Sequence, residues 1–253
     1  MPPETKLEWE TPFGPIWFWR RDTGQPVLLL ITGTFANANV LDQLDETLVG
    51  VDVWRAHLPG NHCPPLAVNT VGLFAAAYGH AIRDALAGRD VVVAGLSVGG
   101  LVALGLRAAN IRGLVVVEPP LLTEGVWPLR IVREQAPPGH DDFLWQVLGI
   151  APDRLEPRDY SALLANLELP TRILVGGEMG PPRRDFDIMP SLVSPACRAL
   201  LEAHPKVTVI EAPGAGHNVP ARAVLTFAHA LEAACRDAFG PQVRFQPANR
   251  PRG

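Results

Sequence analysis

The stretch that most constrains this chain is residues 91–100, Val-Val-Val-Ala-Gly-Leu-Ser-Val-Gly-Gly. Its first four residues are apolar and three of them are β-branched, which predicts a short buried strand. After the break at Gly95, leucine and valine recur among small residues as far as Leu106, as in a buried helix. A G-x-S-x-G motif therefore lies between a strand and a helix, the context of a nucleophile elbow. We expect Ser97 on a sharp, strained turn, with glycines beside it because a Cβ would clash with the neighbouring strand or helix.

Length and composition fit one large α/β domain, alone or with a small insertion. The chain has 253 residues, is 47% hydrophobic and has a net charge of −4, which gives no reason to expect a nucleic-acid or membrane partner. We expect no signal peptide and no membrane span, because no apolar run is long enough. The three cysteines, Cys63, Cys197 and Cys235, are scattered without metal-ligand spacing and indicate free thiols in a reducing compartment. The sequence thus predicts a cytoplasmic protein with no metal and no cofactor, and it leaves a homodimer open.

Apolar runs alternate with helical segments along most of the chain. Buried strands are predicted at residues 27–32, 51–56, 91–95, 111–117, 172–176 and 206–211, preceded by two strands at 7–10 and 16–20. Helices are predicted at residues 71–87 and 195–203 and as a last helix ending near Phe239, with a short one capped by Asn39. This alternation predicts an α/β fold with a mostly parallel central sheet flanked by helices.

Residues 121–169 interrupt the alternation, because about fifty residues there contain no clear strand. We therefore predict a core of residues 1–120 and 170–240, with residues 121–169 inserted as a small helical cap over the site. Residues 241–253 are predicted to be a loosely held C-terminal tail. Trp127 and Trp145 in the insertion are either core aromatics or pocket walls, and we take both, with Phe35, as substrate-binding candidates.

Polar residues follow four of the predicted strands. They are the Thr32-Gly33-Thr34 loop, Ser97, Glu118 and His217, and parallel strands bring such groups together at the carboxyl edge of the sheet. Ser97 needs a base, since a serine hydroxyl is a poor nucleophile at neutral pH. His217 is the candidate, because it lies in a glycine-bounded loop after the last strand. His57 and His62 either line the pocket or have a structural role.

The chain resembles the α/β-hydrolase superfamily from about Leu7 to Phe239. The matching pieces follow the family order: Leu-Ile-Thr-Gly-Thr, Leu-Pro-Gly-Asn-His, the elbow, the insertion and Gly-Ala-Gly-His-Asn-Val-Pro. The resemblance implies the α/β-hydrolase fold, and an oxyanion hole made by the backbone N–H groups of Thr34 and Val98, with Gly33 as a further donor. Two departures, Thr for His in the oxyanion loop and Leu96 for His in the elbow, leave these N–H groups in place.

The third departure concerns the triad acid. The loop after residues 172–176 normally carries an Asp about four residues on, where this chain has Met-Gly-Pro. Glu118 ends an apolar strand 21 residues after Ser97 (118 − 97), and the run Val-Val-Val-Glu-Pro-Pro resembles a subset of the superfamily, including the zearalenone lactonases, with a Glu acid here. We predict Glu118 as the acid that accepts the ring N–H of His217. Asp185 is the next candidate, and the same loop also offers Glu178 and Asp187.

These residues predict a serine hydrolase that cleaves a small, fairly apolar carboxylic ester or lactone through a Ser-His-Glu triad and an acyl-enzyme. Two other classes stay open at this point, because a fold does not determine a function. One is a cofactor-free lyase or related enzyme, in which Ser97 and His217 move protons without an acyl-enzyme. The other is a non-catalytic ligand-binding protein on the same scaffold, which the intact Ser97 and His217 disfavour.

Overall fold

The computed structural model of the chain describes residues 4–124, 126, 139–177 and 189–246. Ten strands lie within these ranges, in chain order β1 (Thr5–Thr11), β2 (Gly14–Arg20), β3 (Val27–Ile31), β4 (Leu48–Val49), β5 (Asp52–Ala56), β6 (Val91–Leu96), β7 (Ile111–Val117), β8 (Thr171–Gly176), β9 (Val207–Ala212) and β10 (Arg244–Phe245). Eight of them form one sheet in the order β1-β2-β5-β3-β6-β7-β8-β9.

The sheet is antiparallel at one edge and parallel elsewhere. Strands β1, β2 and β5 pair antiparallel in turn, whereas β5, β3, β6, β7, β8 and β9 pair parallel. From β3 the chain crosses first to β5 on one side and later to β6 on the other. The sheet therefore has a switch point between β3 and β6, where the carboxyl ends of parallel strands leave a crevice for a ligand.

Helices cover both faces of the sheet. They are α1 (Leu44–Thr47), α2 (Val71–Ala85), α3 (Val98–Gly105), α4 (Asp141–Phe143), α5 (Pro195–Glu202), α6 (Val219–Arg222) and α7 (Val224–Phe239). Helices α2 and α3 contribute to one apolar core and α7 to a second on the opposite face. Alternate residues of β3 enter the two cores, Leu29 in the first and Leu28 and Leu30 in the second, because successive strand side chains point to opposite faces. The predicted α/β architecture is confirmed.

Two local predictions are wrong. Asn37, not Asn39, caps the first short helix, because its side chain accepts the Asn39 N–H; that helix is a single 3₁₀ turn, Ala38–Leu41. The described part of the predicted tail, residues 241–246, is also not loosely held. Strand β10 pairs antiparallel with β4, and Val243 just before it is fully buried in the second core.

The described part of residues 121–169 contains α4, a π-helical turn at Leu144–Leu148 and a 3₁₀ turn at Ser161–Leu163, with single bridges joining Leu122 to Asp159 and Ile150 to Leu155. The π-helical turn continues directly from α4 and ends at Gly149, which has a left-handed backbone. None of the described helices combines the length and apolar character that crossing a bilayer demands.

The three cysteines are free, with Cys197 and Cys235 buried and Cys63 half-buried. Burial raises the pKa of the Cys63 and Cys197 thiols to about 11 and that of Cys235 to about 12. All three groups are therefore protonated at neutral pH.

Candidate active site

Ser97 lies on the one-residue turn between β6 and α3. Its φ of 53° and ψ of −119° are strained for a residue with a side chain. Backbone segments are closely packed around this turn. A Cβ on Gly95 would lie 2.2 Å from the Gly99 carbonyl oxygen, and a Cβ on Gly99 would lie 2.4 Å from the Thr32 carbonyl oxygen. Both flanking glycines are thus required by close packing, which confirms the local geometry predicted for the motif.

His217 and Glu118 are brought together although they are 99 positions apart in the sequence. The distance from His217 Nδ1 to Glu118 Oε2 is 3.2 Å. Glu118 directly follows β7, and the Ser97 backbone N–H donates to the carbonyl of Val117 at 2.8 Å. The acid and the serine therefore lie side by side at the carboxyl ends of two neighbouring strands. Glu118 has a φ of 51°, a second strained backbone at this edge. With Nδ1 occupied by Glu118, Nε2 is the ring nitrogen left to act toward the cavity that His217 and Ser97 share.

The Glu118 carboxylate is completely buried and is surrounded by hydrogen-bond donors. Its Oε1 accepts from the Gly176 N–H at 2.6 Å and the Ser191 hydroxyl at 2.8 Å, and its Oε2 accepts from the Leu192 N–H at 2.7 Å. With His217, each oxygen has two partners. A buried carboxylate needs such partners to offset its lost hydration, and here they also fix its orientation.

Residues 189–192 also belong to the site, and no sequence pattern indicates this. Ser191 and Leu192 donate hydrogen bonds to the Glu118 carboxylate, and the carbonyl of Met189 accepts the backbone N–H of His217 at 2.9 Å. The same short segment thus positions both the acid and the base. No local motif marks it, because its contacts depend on where the chain returns to the sheet after β8.

The proposed oxyanion donors surround Ser97. Gly33, Thr34 and Val98 line the same cavity as the serine, and a Cβ on Gly33 would lie 3.1 Å from Ser97 Cβ. Val98 is the first residue of α3, where N–H groups have no carbonyl partner within the helix. The loop after β3 and the start of α3 therefore both bring backbone N–H groups to the cavity at the serine.

The cavity above Ser97 has a volume of about 400 Å³. Apolar side chains form most of its wall, namely Val126, Leu144, Leu148 and Ile150 from residues 121–169, with Met189 and Leu192 from the segment before α5. The substrate-binding candidate Phe35 also lines it. Among the described lining residues, none is Asp, Glu, Lys or Arg. The space suits an uncharged, largely apolar group.

Trp145, a substrate-binding candidate that the sequence leaves open between core aromatic and pocket wall, is not among the described residues that line the cavity. Leu144 and Leu148, four residues apart, face the cavity, and Trp145 is on another side of the same turn. Its ring is covered by the guanidinium groups of Arg154 and Arg158, 4.2 and 4.8 Å from the ring centroid. Trp127 lies outside the described residues.

His57 and His62 have structural contacts and are not among the described residues that line the cavity. His57 is buried, its Nε2 accepts the Ala38 N–H at 2.9 Å, and its ring packs edge-on against Trp19. Burial, with the nearby His62 and Arg55, lowers the pKa of His57 to about 4. The neutral ring thus serves as an acceptor that holds the loop after β3.

The alternative acids Glu178, Asp185 and Asp187 lie outside the described residues. In the described part of the chain, no three His, Cys, Asp or Glu side chains are grouped as metal ligands would be.

The sequence matches no protein-family model and no curated protein. Solved structures resemble it closely in fold. A thermophilic esterase from Thermogutta terrifontis, determined with malate bound, is 18% identical with a TM-score of 0.61, over 94% of this chain and 99% of the esterase. The N-acyl homoserine lactonase AidH, in a mutant form complexed with N-hexanoyl homoserine, is 19% identical with a TM-score of 0.63, over 93% and 98%. An N-formylmaleamic acid deformylase from Pseudomonas putida S16 is 16% identical with a TM-score of 0.61, over 90% and 100%.

These likenesses cover nearly whole chains at sequence identities below 20%, and they therefore show a shared fold. Together with the sheet order and the turn at Ser97, they establish that the chain has the α/β-hydrolase fold. The narrower resemblance to the zearalenone lactonases stays a prediction.

Proposed function

We propose that this chain is a serine hydrolase that cleaves a small, fairly apolar carboxylic ester or lactone through an acyl-enzyme. The observation that carries the proposal is the joint placement of Ser97 and His217 on one cavity, with His217 Nδ1 against the buried Glu118 carboxylate. This arrangement fits a nucleophile, its base and an acid that orients the base. The roles of nucleophile, general base and triad acid are assigned to Ser97, His217 and Glu118 respectively.

In the proposed reaction, His217 Nε2 takes the hydroxyl proton of Ser97 while Oγ forms a bond to the substrate carbonyl carbon. The π electron pair moves onto the carbonyl oxygen, and Glu118 stabilises the imidazolium ion. The tetrahedral intermediate collapses when the bond to the leaving alkoxide breaks and His217 returns the proton to it. Water then attacks the acyl-enzyme with the same proton transfers and releases the acid and free Ser97.

The charge that develops on the carbonyl oxygen needs donors beside Ser97. We assign the N–H groups of Val98 and Thr34, with Gly33 nearby, to this oxyanion hole because all three residues line the cavity at the serine. One such donor contributes about 3 kcal/mol to transition-state stabilisation. Because Val98 opens α3, the positive end of the helix dipole adds to the effect.

The cavity wall supports an apolar substrate. A charged group there would lose its hydration without a described partner, which is costly. The structural neighbours include an esterase, a lactonase and a deformylase, all of which agree with acyl transfer to water. We therefore place the acyl chain of an ester or lactone against the aliphatic residues of the insertion.

A fluorophosphonate probe tests this proposal directly, since it reacts covalently with an activated serine. We expect one adduct per chain by intact-protein mass spectrometry, and loss of the adduct and of ester hydrolysis in Ser97→Ala. Ser194→Ala is a matched control, because Ser194 only caps α5 and should still allow labelling at Ser97. Labelling of Ser97→Ala at the wild-type level would contradict the assignment. Turnover of esters without a trappable acyl-enzyme would contradict the covalent mechanism, and cleavage of a substrate by elimination, without water, would favour the lyase class.

A further inference from the structure

The loop that carries the proposed oxyanion donor is a tight turn in an unusual conformation. The Ala36 N–H donates to the Gly33 carbonyl at 3.3 Å, which closes a four-residue turn with Thr34 and Phe35 in the middle. Phe35 has a φ of 57°, whereas Thr34 is not among the residues with positive φ. A positive φ at the third position alone is the signature of a type II turn.

Phenylalanine is a poor residue for that position. Type II turns take glycine or asparagine at the third position, because a Cβ is strained at positive φ, most of all in a bulky residue. The type I turn keeps the same closing hydrogen bond with negative φ at both central residues and accepts most side chains. The two turns differ by a flip of the peptide between Thr34 and Phe35, which exchanges the directions of the Thr34 carbonyl and the Phe35 N–H.

Contacts of Phe35 hold the turn in its strained form. Its ring packs edge-on against His140, with centroids 4.8 Å apart, and lies 5.8 Å from the ring of Phe143. Its carbonyl oxygen is 3.3 Å from His62 Nε2. Strained backbones persist where the surroundings over-determine them. Two of these three contacts come from residues 140–143, immediately before the cavity-lining Leu144.

This segment is itself anchored to the core. His140 Nε2 is 3.1 Å from the Gly60 carbonyl oxygen, and the Asn69 amide donates to Asp142 at 2.7 Å. The ring of Phe143 stacks on Phe74 of α2 with centroids 6.1 Å apart. Docking of the segment and the conformation of the turn are therefore linked through one side chain.

We propose that Phe35 is a positioning residue that makes the oxyanion hole depend on the docked cap segment. When the segment formed by residues 140–143 is docked, Phe35 is held at positive φ and the peptide beside the oxyanion donors has its catalytic orientation. When that hold is lost, strain drives the turn to type I, and the flipped peptide changes the field at the carbonyl oxygen. This inference rests on the proposed function, since it assigns the turn to the oxyanion hole.

The substitutions Phe35→Ala and Phe35→Gly separate this role from simple contact with substrate. Both remove the ring, but alanine keeps the strain at positive φ and glycine does not. We expect kcat on a small ester such as p-nitrophenyl acetate to fall by about 10-fold in Phe35→Ala. This is less than the loss of a whole donor, because the Thr34 N–H belongs to the preceding peptide and only the dipole of the adjacent peptide is reversed. We expect Phe35→Gly to recover most of that kcat, with a similar KM in the two variants. Equal kcat in both variants, or a lower kcat in Phe35→Gly, would overturn the proposal.

The cap side is tested with His140→Ala. Loss of this ring should lower kcat in the wild-type background. It should have no further effect on kcat in Phe35→Gly, because glycine adopts a positive φ without the contact from His140. Additive losses in the double variant would contradict the link. Melting temperatures of all variants show whether a loss of kcat reflects unfolding.

An NMR measurement separates failure of this inference from failure of the proposed function. In a type II turn a strong NOE joins the Thr34 Hα to the N–H of residue 35, and in a type I turn the strong NOE joins the two N–H protons. We expect the first pattern in the wild type and Phe35→Gly and the second in Phe35→Ala. The type II pattern in all three would sink the inference even if the enzyme hydrolyses esters. The expected change of pattern in a chain that hydrolyses no ester would leave the turn as proposed and refute its catalytic role.

Discussion

At the residue scale, the surroundings of Glu118 make its substitution informative. Glu118→Gln keeps the shape of the side chain but replaces an acceptor by an NH₂ group facing donors. We expect kcat to fall by about 10³-fold, because His217 loses the partner that holds its tautomer and stabilises its charged form. Steady-state kinetics on the best ester, with folding checked by circular dichroism, measures this. Asp185→Asn, Asp187→Asn and Glu178→Gln should stay near wild type; a large loss in one of them with Glu118→Gln unaffected would move the acid there.

A substitution at Ser191 tests how strongly kcat depends on the orientation of the Glu118 carboxylate. Ser191→Ala removes one donor from Glu118 Oε1 and leaves the Gly176 N–H in place. We expect a loss of about 1–2 kcal/mol in the free energy of unfolding and a smaller loss of kcat than in Glu118→Gln, about 3- to 10-fold. Ser194→Ala should cost about 1 kcal/mol of stability through its helix cap and leave kcat unchanged. The same drop in kcat for both serine variants would mean that Ser191 acts only through stability.

The lowered pKa of His57 leads us to expect that the free energy of unfolding decreases at acidic pH. Its folded-state pKa is about 4, below the ordinary 6.5, so the unfolded chain binds more protons than the folded chain between these pH values. Stability from this group is therefore complete above pH 6.5 and falls as the pH drops toward 4, by up to about 3 kcal/mol. Urea unfolding at pH 7 and pH 4.5 measures the loss. His57→Gln, which can still accept the Ala38 N–H, should show a weaker pH dependence; an unchanged dependence would assign the acid sensitivity to other groups.

At the element scale, the π-helical turn after α4 separates a cavity-facing side from an outer side. Leu144→Ala enlarges the cavity, and we expect the ratio of kcat/KM for octanoyl over butyryl esters to rise by about tenfold. Trp145→Ala removes a ring held by two arginines outside the cavity and should lower the melting temperature with that ratio unchanged. An ester series of increasing acyl length measures both. If Trp145→Ala shifts the ratio as strongly as Leu144→Ala, the cap is arranged differently around bound substrate.

The elements differ in how far local sequence determines them. Strand β7 and the end of α7 at Phe239 agree with prediction to the residue, because buried β-branched runs and long amphipathic helices carry strong local signals. Strands β4 and β10 have two residues each and exist through their mutual pairing, which no local pattern encodes. The side of the turn on which Trp145 lies depends likewise on how α4 docks.

The same distinction holds for the candidate site. Ser97, Glu118 and His217 could be selected from sequence, because each ends an apolar run or follows one closely and the fold gathers strand ends at one edge. Ser191, Leu192 and the contacts of Phe35 could not, since they depend on chain segments that meet only after folding. Motifs thus identify the groups proposed to do chemistry, and tertiary structure identifies those that hold them.

At the scale of the whole molecule, the carboxyl end of the described chain closes part of the second core. Deleting residues 241–253 removes the fully buried Val243 and strand β10. We expect a loss of about 2–4 kcal/mol in the free energy of unfolding, mainly from lost apolar burial. Urea titration measures this as a lower midpoint.

Deletion of residues 247–253 alone is the control, since it keeps β10 and the bond from the Gln246 N–H to the Thr47 carbonyl. This shorter deletion should keep the wild-type midpoint. Equal midpoints for the two deletions would show that the β4–β10 pairing contributes little.

The protonated state of the three native thiols has a practical consequence. Thiolates, not thiols, react with maleimides and other alkylating reagents, and Cys63, Cys197 and Cys235 have pKa values of about 11, 11 and 12. The native cysteines should therefore react slowly with such reagents, which allows site-directed labelling of an introduced cysteine. A single exposed cysteine introduced at Gln146, on the turn that carries Leu144 and Leu148, could take a fluorophore or spin label while the native cysteines stay in place. Movements of the predicted cap could then be followed in solution in an otherwise unmodified protein.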